Sequence, residues 1–311
     1  MSNPLRCGVI GAGVFGGYHA GQYAKLPGAT LAAVFDPDLS RASAVAGTHG
    51  AKAFDDLAAF LATVDAVSIT SPATTHAPAA LASLKAGKAT YVEKPIAVSV
   101  EDADAIVAAA RSAALPLGVG HQERMVFRAM GLFAIPEAPL RLEAVRRGTY
   151  SPRNLDVSCV LDLMIHDLDL ALALSNQLPI DVEADAIAPH GPFADEVRAE
   201  VIFDDGLVGL FQASRVAQVR ERRMLLVYPS GEVEVDFLAR TFRNTTPFAL
   251  DPNFSETPIG KDPLGAALGA FVAAARGEID HLPAEAEEGA RAVGLALLVE
   301  ESANETLGMG T

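Results

Sequence analysis

Three sets of residues have types and spacings suited to chemistry. The first is Gly11, Gly13 and Gly16, a GxGxxG that follows directly on the apolar run 7–10 and opens a stretch of helical periodicity, 15–26. In that order the first glycine makes a tight turn, the second admits a pyrophosphate, and the third lets helix and strand pack closely. Phosphates held there, against Val14 and Phe15, would meet free backbone N–H groups and the positive end of a helix. Asp36 lies twenty residues beyond Gly16, at the end of a second apolar run. A carboxylate at that place accepts hydrogen bonds from an adenosine ribose and repels a 2′-phosphate, so the expected cofactor is NAD rather than NADP. Asp36, preceding Pro37 and Asp38, also fits a simple turn start.

The second set is Glu93, Lys94 and Pro95, at the end of the apolar run that begins at Thr90. The carboxyl end of a parallel strand is where open α/β sheets bind ligands, and partial burial there lowers a lysine pKa toward proton transfer. Spacing alone leaves that reading level with a solvated surface lysine. The third set is Asp162, His166 and Asp169, at i, i+4 and i+7 on a helix expected over 159–174, beside an apolar stripe of Leu161, Ile165, Leu168 and Leu172. The apolar stripe can anchor the helix while the polar stripe faces a cleft. A helix-start carboxylate and a core histidine paired with it fit the same residues.

The elements that must position these groups change in kind along the chain. Up to about residue 120, strands expected at 7–10, 31–36, 51–54, 66–70, 90–93 and 117–120 alternate with Ala-rich helical stretches, the grammar of a doubly wound parallel sheet. Beyond it, strand-like stretches dominate. Val197, Ala199, Val201 and Phe203 alternate with charged neighbours, as do Val233, Val235 and Phe237, which predicts an antiparallel sheet with one buried face. Two closing helices are expected near 264–276 and 284–304. The fold class is therefore α/β, with a Rossmann domain over 1–120 and a second domain containing an antiparallel sheet over 121–311.

The glycine loop, the Thr70-Ser71-Pro72 turn followed by His76, the Glu93-Lys94-Pro95 triplet and Asp162 with His166, in that order, resemble the Gfo/Idh/MocA family of dehydrogenases over nearly the whole chain. The resemblance implies a nicotinamide cofactor over the sheet, bound by the glycine loop, Asp36, Thr70, Ser71, Pro72, His76, Glu93, Lys94 and Gln122. It implies Lys94 beside the reacting carbon, Asp162 and His166 completing the catalytic site, a catalytic C-terminal α+β domain over 121–311 with a large open, mostly antiparallel sheet, and a homo-oligomer built through that sheet. The stretch from His121 to Arg124 opens the second domain where the family passes near the nicotinamide, making His121 and Arg124 candidates for substrate contact. His19 matches a frequent family position, with packing or capping as open as ligand contact. The chain departs from many members just before the catalytic helix, where Ser158, Cys159 and Val160 stand in place of glycines.

A narrower resemblance runs from Arg146 to Leu174, and with Gly120 to Arg124 is similar to the branch containing UDP-N-acetylglucosamine 3-dehydrogenases. It implies oxidation of the 3-hydroxyl of a UDP-N-acetylhexosamine, with Arg147 and Arg153, beside Arg146, as a basic cluster for a diphosphate. A free sugar or cyclitol dehydrogenase is the alternative within the family. A non-catalytic dinucleotide-sensing regulator is the alternative outside enzymes, and Lys94, Asp162 and His166 argue against it.

Composition bounds these readings. The 311 residues are enough for two domains, and half are hydrophobic. The formal net charge of −15 opposes nucleic-acid and anionic-membrane partners. Cys7 and Cys159 are the only cysteines, too few for a disulfide framework or a metal cluster. With a start too short and wrongly flanked for a signal peptide, the expected location is the reducing cytoplasm.

Overall fold

The alternating runs of the first part form a parallel sheet in the computed structural model, which describes residues 3–151 and 155–307. Its strands are β1 (Leu5–Ile10), β2 (Ala29–Phe35), β3 (Lys52–Phe54), β4 (Ala66–Ile69), β5 (Ala89–Val92) and β6 (Leu117–Val119). They run in the order β3-β2-β1-β4-β5-β6, so the direction of winding reverses between β1 and β4, the crevice where such sheets take dinucleotides. Every residue of β4 and β5 is buried, as expected of strands covered on both faces. The helices along the chain are α1 (Val14–Tyr23), α2 (Leu39–Thr48), α3 (Leu57–Leu61), α4 (His76–Lys85), α5 (Val100–Ala113), α6 (Glu123–Met130), α7 (Ile165–Ser175), α8 (Pro258–Lys261), α9 (Pro263–Ala275) and α10 (Ala286–Thr306).

The chain divides into two compact units, but not as two consecutive segments. The first unit runs up to Met125 and takes back Asp262–Ala290. A boundary at residue 120 puts 262–290 in the second domain. The structure corrects this because Leu268, Phe271 and Val272 of α9 complete the apolar core around Tyr23, Leu31 and Tyr91. Polar contacts fix the return: Gln22 donates to both oxygens of Asp262, at 2.9 and 2.8 Å, and Asp262 caps α9 by accepting from Gly265 N.

The second unit comprises Val126–Lys261 and the chain from Arg291 onward. Its sheet contains β7 (Arg141–Arg147), β8 (Pro179–Ile187), β9 (Glu196–Phe203), β10 (Val208–Ser214), β11 (Glu221–Tyr228), β12 (Gly231–Asp236) and β13 (Thr241–Asn244) in the order β13-β12-β11-β7-β10-β9-β8. All pairings are antiparallel except β7 with β10. One face buries Leu142, Ala144, Val197, Val201, Phe211 and Met224. The other is a checkerboard in which Leu225 and Leu210 flank Glu143, and Val145 lies between Arg223 and Gln212.

The helix expected over 159–174 has a break in kind. Val160–Met164 is a π-helical turn, with Ile165 N–H bonded to Val160 O, and only from Ile165 does regular α-helix follow. Both cysteines are buried free thiols, and burial pushes the Cys7 thiol up to about 12. Among the described residues, no helix is long and apolar enough to cross a membrane.

Candidate active site

The glycine loop carries its three requirements one residue at a time. Gly11 has a φ of +97°, and a Cβ there would lie 2.6 Å from Ser71 N. Gly13 opens α1 in extended conformation, and a Cβ there would meet nothing within 4 Å, which leaves its face clear for a ligand. Gly16 lies against the turn, because its Cβ would come within 1.9 Å of Gly11 O. Val14 and Phe15 stand more than half exposed beside it. Thr70, at the end of β4, donates from Oγ1 to Ile10 O and Gly11 O at 3.1 and 2.9 Å, tying the two strand ends that form the crevice. Asp36 accepts from Ala12 N at 2.8 Å and from Asp38 N at 3.0 Å, so it braces the loop from the neighbouring strand. A start of α1 with no side-chain cap, a clear Gly13 and a carboxylate after β2 fit NAD.

Glu93 and Lys94 follow β5 directly. Glu93 is 7% exposed, and its Oε1 lies 2.9 Å from His19 Nε2 and accepts from Gln122 Nε2 at 3.3 Å. Burial alone would push its carboxyl up, but the His19 hydrogen bond and charge, with Lys94 and His76, hold it below the usual range. Gly120 makes room for it, because a Cβ there would be 2.5 Å from Glu93 Oε2. Lys94 itself is half-buried.

Three residues expected at the ligand are instead built into the packing of the first unit. His76 is 2% exposed, with Nδ1 and Nε2 lying 2.7 and 2.8 Å from the carbonyl oxygens of Pro95 and Ser71. It clamps the turn after β4 to the turn after Lys94, and burial lowers its pKa. Arg124, expected at the substrate, is 4% exposed and pairs with Glu288 at 2.5 Å. A guanidinium at that depth needs a carboxylate, and Glu288 of α10 supplies it. His121 is likewise buried, packed with Tyr91, Met125 and Leu282 around a small cavity.

In the second unit, Asp162 lies on the π turn and His166 on the first turn of α7, both half-buried, while Asp169 is 1% exposed. Leu161, Ile165, Leu168 and Leu172 are buried, so the apolar stripe does anchor the helix. Ser158 starts it: Oγ accepts from Val160 N and Leu161 N at 3.0 and 3.3 Å and donates to Glu300. Arg146 does not stand with Arg147 as a phosphate cradle. It is 2% exposed, and its Nε and Nη2 donate to the two Asp167 oxygens at 2.9 and 2.8 Å, locking α7 to β7. Arg147 is half-exposed near Gln212 and Glu221, and Arg153 lies outside the described residues. A second buried pair, Arg215 with Asp195 at 2.6 Å, holds the chain before the helix through Arg215 Nη1 and Val157 O. Neither ion pair was found by sequence reasoning, because their partners lie 21 and 20 residues apart with no shared period.

This fold and glycine-loop site define an NAD-binding oxidoreductase. Two family models match in succession: an oxidoreductase family with an NAD-binding Rossmann fold over residues 5–121, and the GFO/IDH/MocA C-terminal domain over residues 139–234. The chain belongs to the Gfo/Idh/MocA family of oxidoreductases. It is 39% identical over 242 residues to the UDP-N-acetylglucosamine 3-dehydrogenase of Acidithiobacillus ferrooxidans, covering 76% of this chain and 75% of that one. A solved structure of UDP-N-acetylglucosamine 3-dehydrogenase GnnA from that organism superposes with a TM-score of 0.89 at 34% identity, over 99% of this chain and 100% of that one. Inositol 2-dehydrogenase 3 of Saccharopolyspora erythraea is 35% identical over 60% of this chain and 57% of its own. The WlbA dehydrogenase of Bordetella pertussis, solved with NADH and UDP-GlcNAcA, shares the fold at 20% identity with a TM-score of 0.86, over 98% of this chain and 97% of that one.

Proposed function

We propose that this oxidoreductase oxidises the 3-hydroxyl of a UDP-N-acetylhexosamine. The observation that carries the reading is the 39% identity to a UDP-N-acetylglucosamine 3-dehydrogenase across three quarters of both chains. Held by the glycine loop and Asp36, NAD would supply the hydride acceptor for the carbinol carbon. His166 takes the hydroxyl proton as general base, Lys94 holds the same oxygen, and Asp162 orients the histidine. The reading requires Lys94 and His166 to converge on one carbon. With Arg146 committed to Asp167, and Arg147 turned to Gln212 and Glu221 on the other face of the sheet, the grip on a diphosphate falls to Arg153.

Oxidation of a free cyclitol is the second reading, favoured by the likeness to an inositol 2-dehydrogenase. We also place the enzyme in the cytoplasm, where two free thiols suit a reducing compartment, and infer that it assembles as a homo-oligomer through the outer face of the second sheet. The test of substrate class is a panel of UDP-N-acetylglucosamine, UDP-N-acetylgalactosamine, N-acetylglucosamine and myo-inositol with NAD. Turnover of the UDP-sugars alone supports the proposal, and turnover of myo-inositol alone replaces it with the cyclitol reading.

A further inference from the structure

His19 is 0% exposed although it lies on α1, the helix that the glycine loop opens. Its Nδ1 is buried with no hydrogen-bond partner, so its polar engagement among the described residues is the 2.9 Å contact from Nε2 to Glu93 Oε1. Glu93 is itself buried, in the space left by the missing side chain of Gly120. Burying an imidazole and a carboxylate together is costly, and an apolar pair of similar volume is often as stable or more so. Packing alone therefore gives no reason for this pair. Its position gives one: it joins the helix that receives the dinucleotide to the residue immediately before Lys94.

We propose that His19 is a positioning residue for Lys94. Through Glu93 it ties the glycine-loop helix to the lysine turn, so that cofactor seating and lysine placement are set together. This rests on the reading of Lys94 as the group that holds the substrate oxygen. The charged and titratable groups acting on Glu93 are His19 from α1, His76 from α4, Lys94 from its own turn and Tyr91 from its own strand. Without His19 the buried carboxylate takes up its proton at higher pH, and Lys94 loses a neighbouring negative charge.

The experiment uses the full-length enzyme with four variants, His19→Ala, His19→Gln, Glu93→Gln and Lys94→Ala. Turnover is expressed per NAD-binding site counted by calorimetric titration, so that unfolded protein does not enter the rate. His19→Ala is expected to lower kcat by on the order of tenfold while NAD affinity changes by less than about threefold. Glu93→Gln, with His19 in place, should lower kcat in the same way without weakening NAD binding. His19→Gln, which keeps an N–H donor, should recover most of the lost kcat. Wild-type kcat in His19→Ala, or no rescue by His19→Gln, beside an inactive Lys94→Ala, overturns the coupling alone. Full turnover in Lys94→Ala overturns the reading of the lysine, and the inference with it.

Discussion

Asp36 does two jobs at once. Its oxygens brace the glycine loop through Ala12 N and Asp38 N, and each keeps a further lone pair for a ribose hydroxyl. A 2′-phosphate would meet the same carboxylate as like charge. The enzyme is expected to favour NAD over NADP by at least about tenfold in kcat/KM. Asp36→Ser should narrow that ratio, because the ribose hydroxyls lose their carboxylate acceptor and a 2′-phosphate no longer meets a like charge. Equal kcat/KM for the two cofactors in the wild type contradicts the assignment. Residues whose demands are local were legible in the sequence: Gly11 needs a left-handed backbone, and Gly16 must touch Gly11. Residues whose partners come from afar were not. His76 and Arg124 have the side chains of ligand contacts, but Pro95 and Glu288, 19 and 164 residues away, turn them into packing.

The helix carrying Asp162 and His166 shows what an element can and cannot announce. Its apolar stripe followed from the 3.6-residue period and is buried as expected. The π turn over Val160–Met164 has no periodic signature, since a single widened turn is too short to set a period of its own. What holds the helix is equally silent in sequence. Breaking the Arg146–Asp167 pair with Arg146→Met should cost about 3–5 kcal/mol, read by chemical denaturation, because an uncompensated carboxylate stays buried. Arg146→Met with Asp167→Leu should recover most of that loss, and equal damage in single and double variants would show that the pair is not the source.

At the amino end of the same helix, burial raises the Glu300 carboxyl, with the Ser158 hydrogen bond opposing it. A carboxyl raised in the folded chain gives stability that is complete below the ordinary carboxylate range and is lost as pH rises through the raised value. Glu300→Gln keeps an oxygen to accept from Ser158 and removes that loss. Its Tm should exceed the wild type by roughly 2–4 °C at neutral pH and match it in acid. A gain that does not change with pH would contradict the assignment.

Across the whole molecule, the two sheets were legible because both depend on strand periodicity and neighbour order. The return of 262–290 to the first unit was not, because it is decided by where α9 finds apolar partners. The outer face of the second sheet alternates Leu210, Leu225 and Val145 with Glu143, Arg223 and Gln212, a surface able to pair with a copy of itself through apolar and charged contacts together. Sedimentation at micromolar concentration should give a dimer or larger, and Leu225→Arg should shift it toward monomer. A monomeric wild type contradicts the assembly.

The central claim is hydride removal from one carbon of a nucleotide sugar, and it is tested most directly with UDP-N-acetylglucosamine deuterated at C3. NADH should form with the unlabelled substrate, deuteration should slow single-turnover NADH formation, and deuterium should appear in the NADH. NADH formation from the labelled sugar with no deuterium transfer, or none from either sugar while myo-inositol reduces NAD, would contradict it.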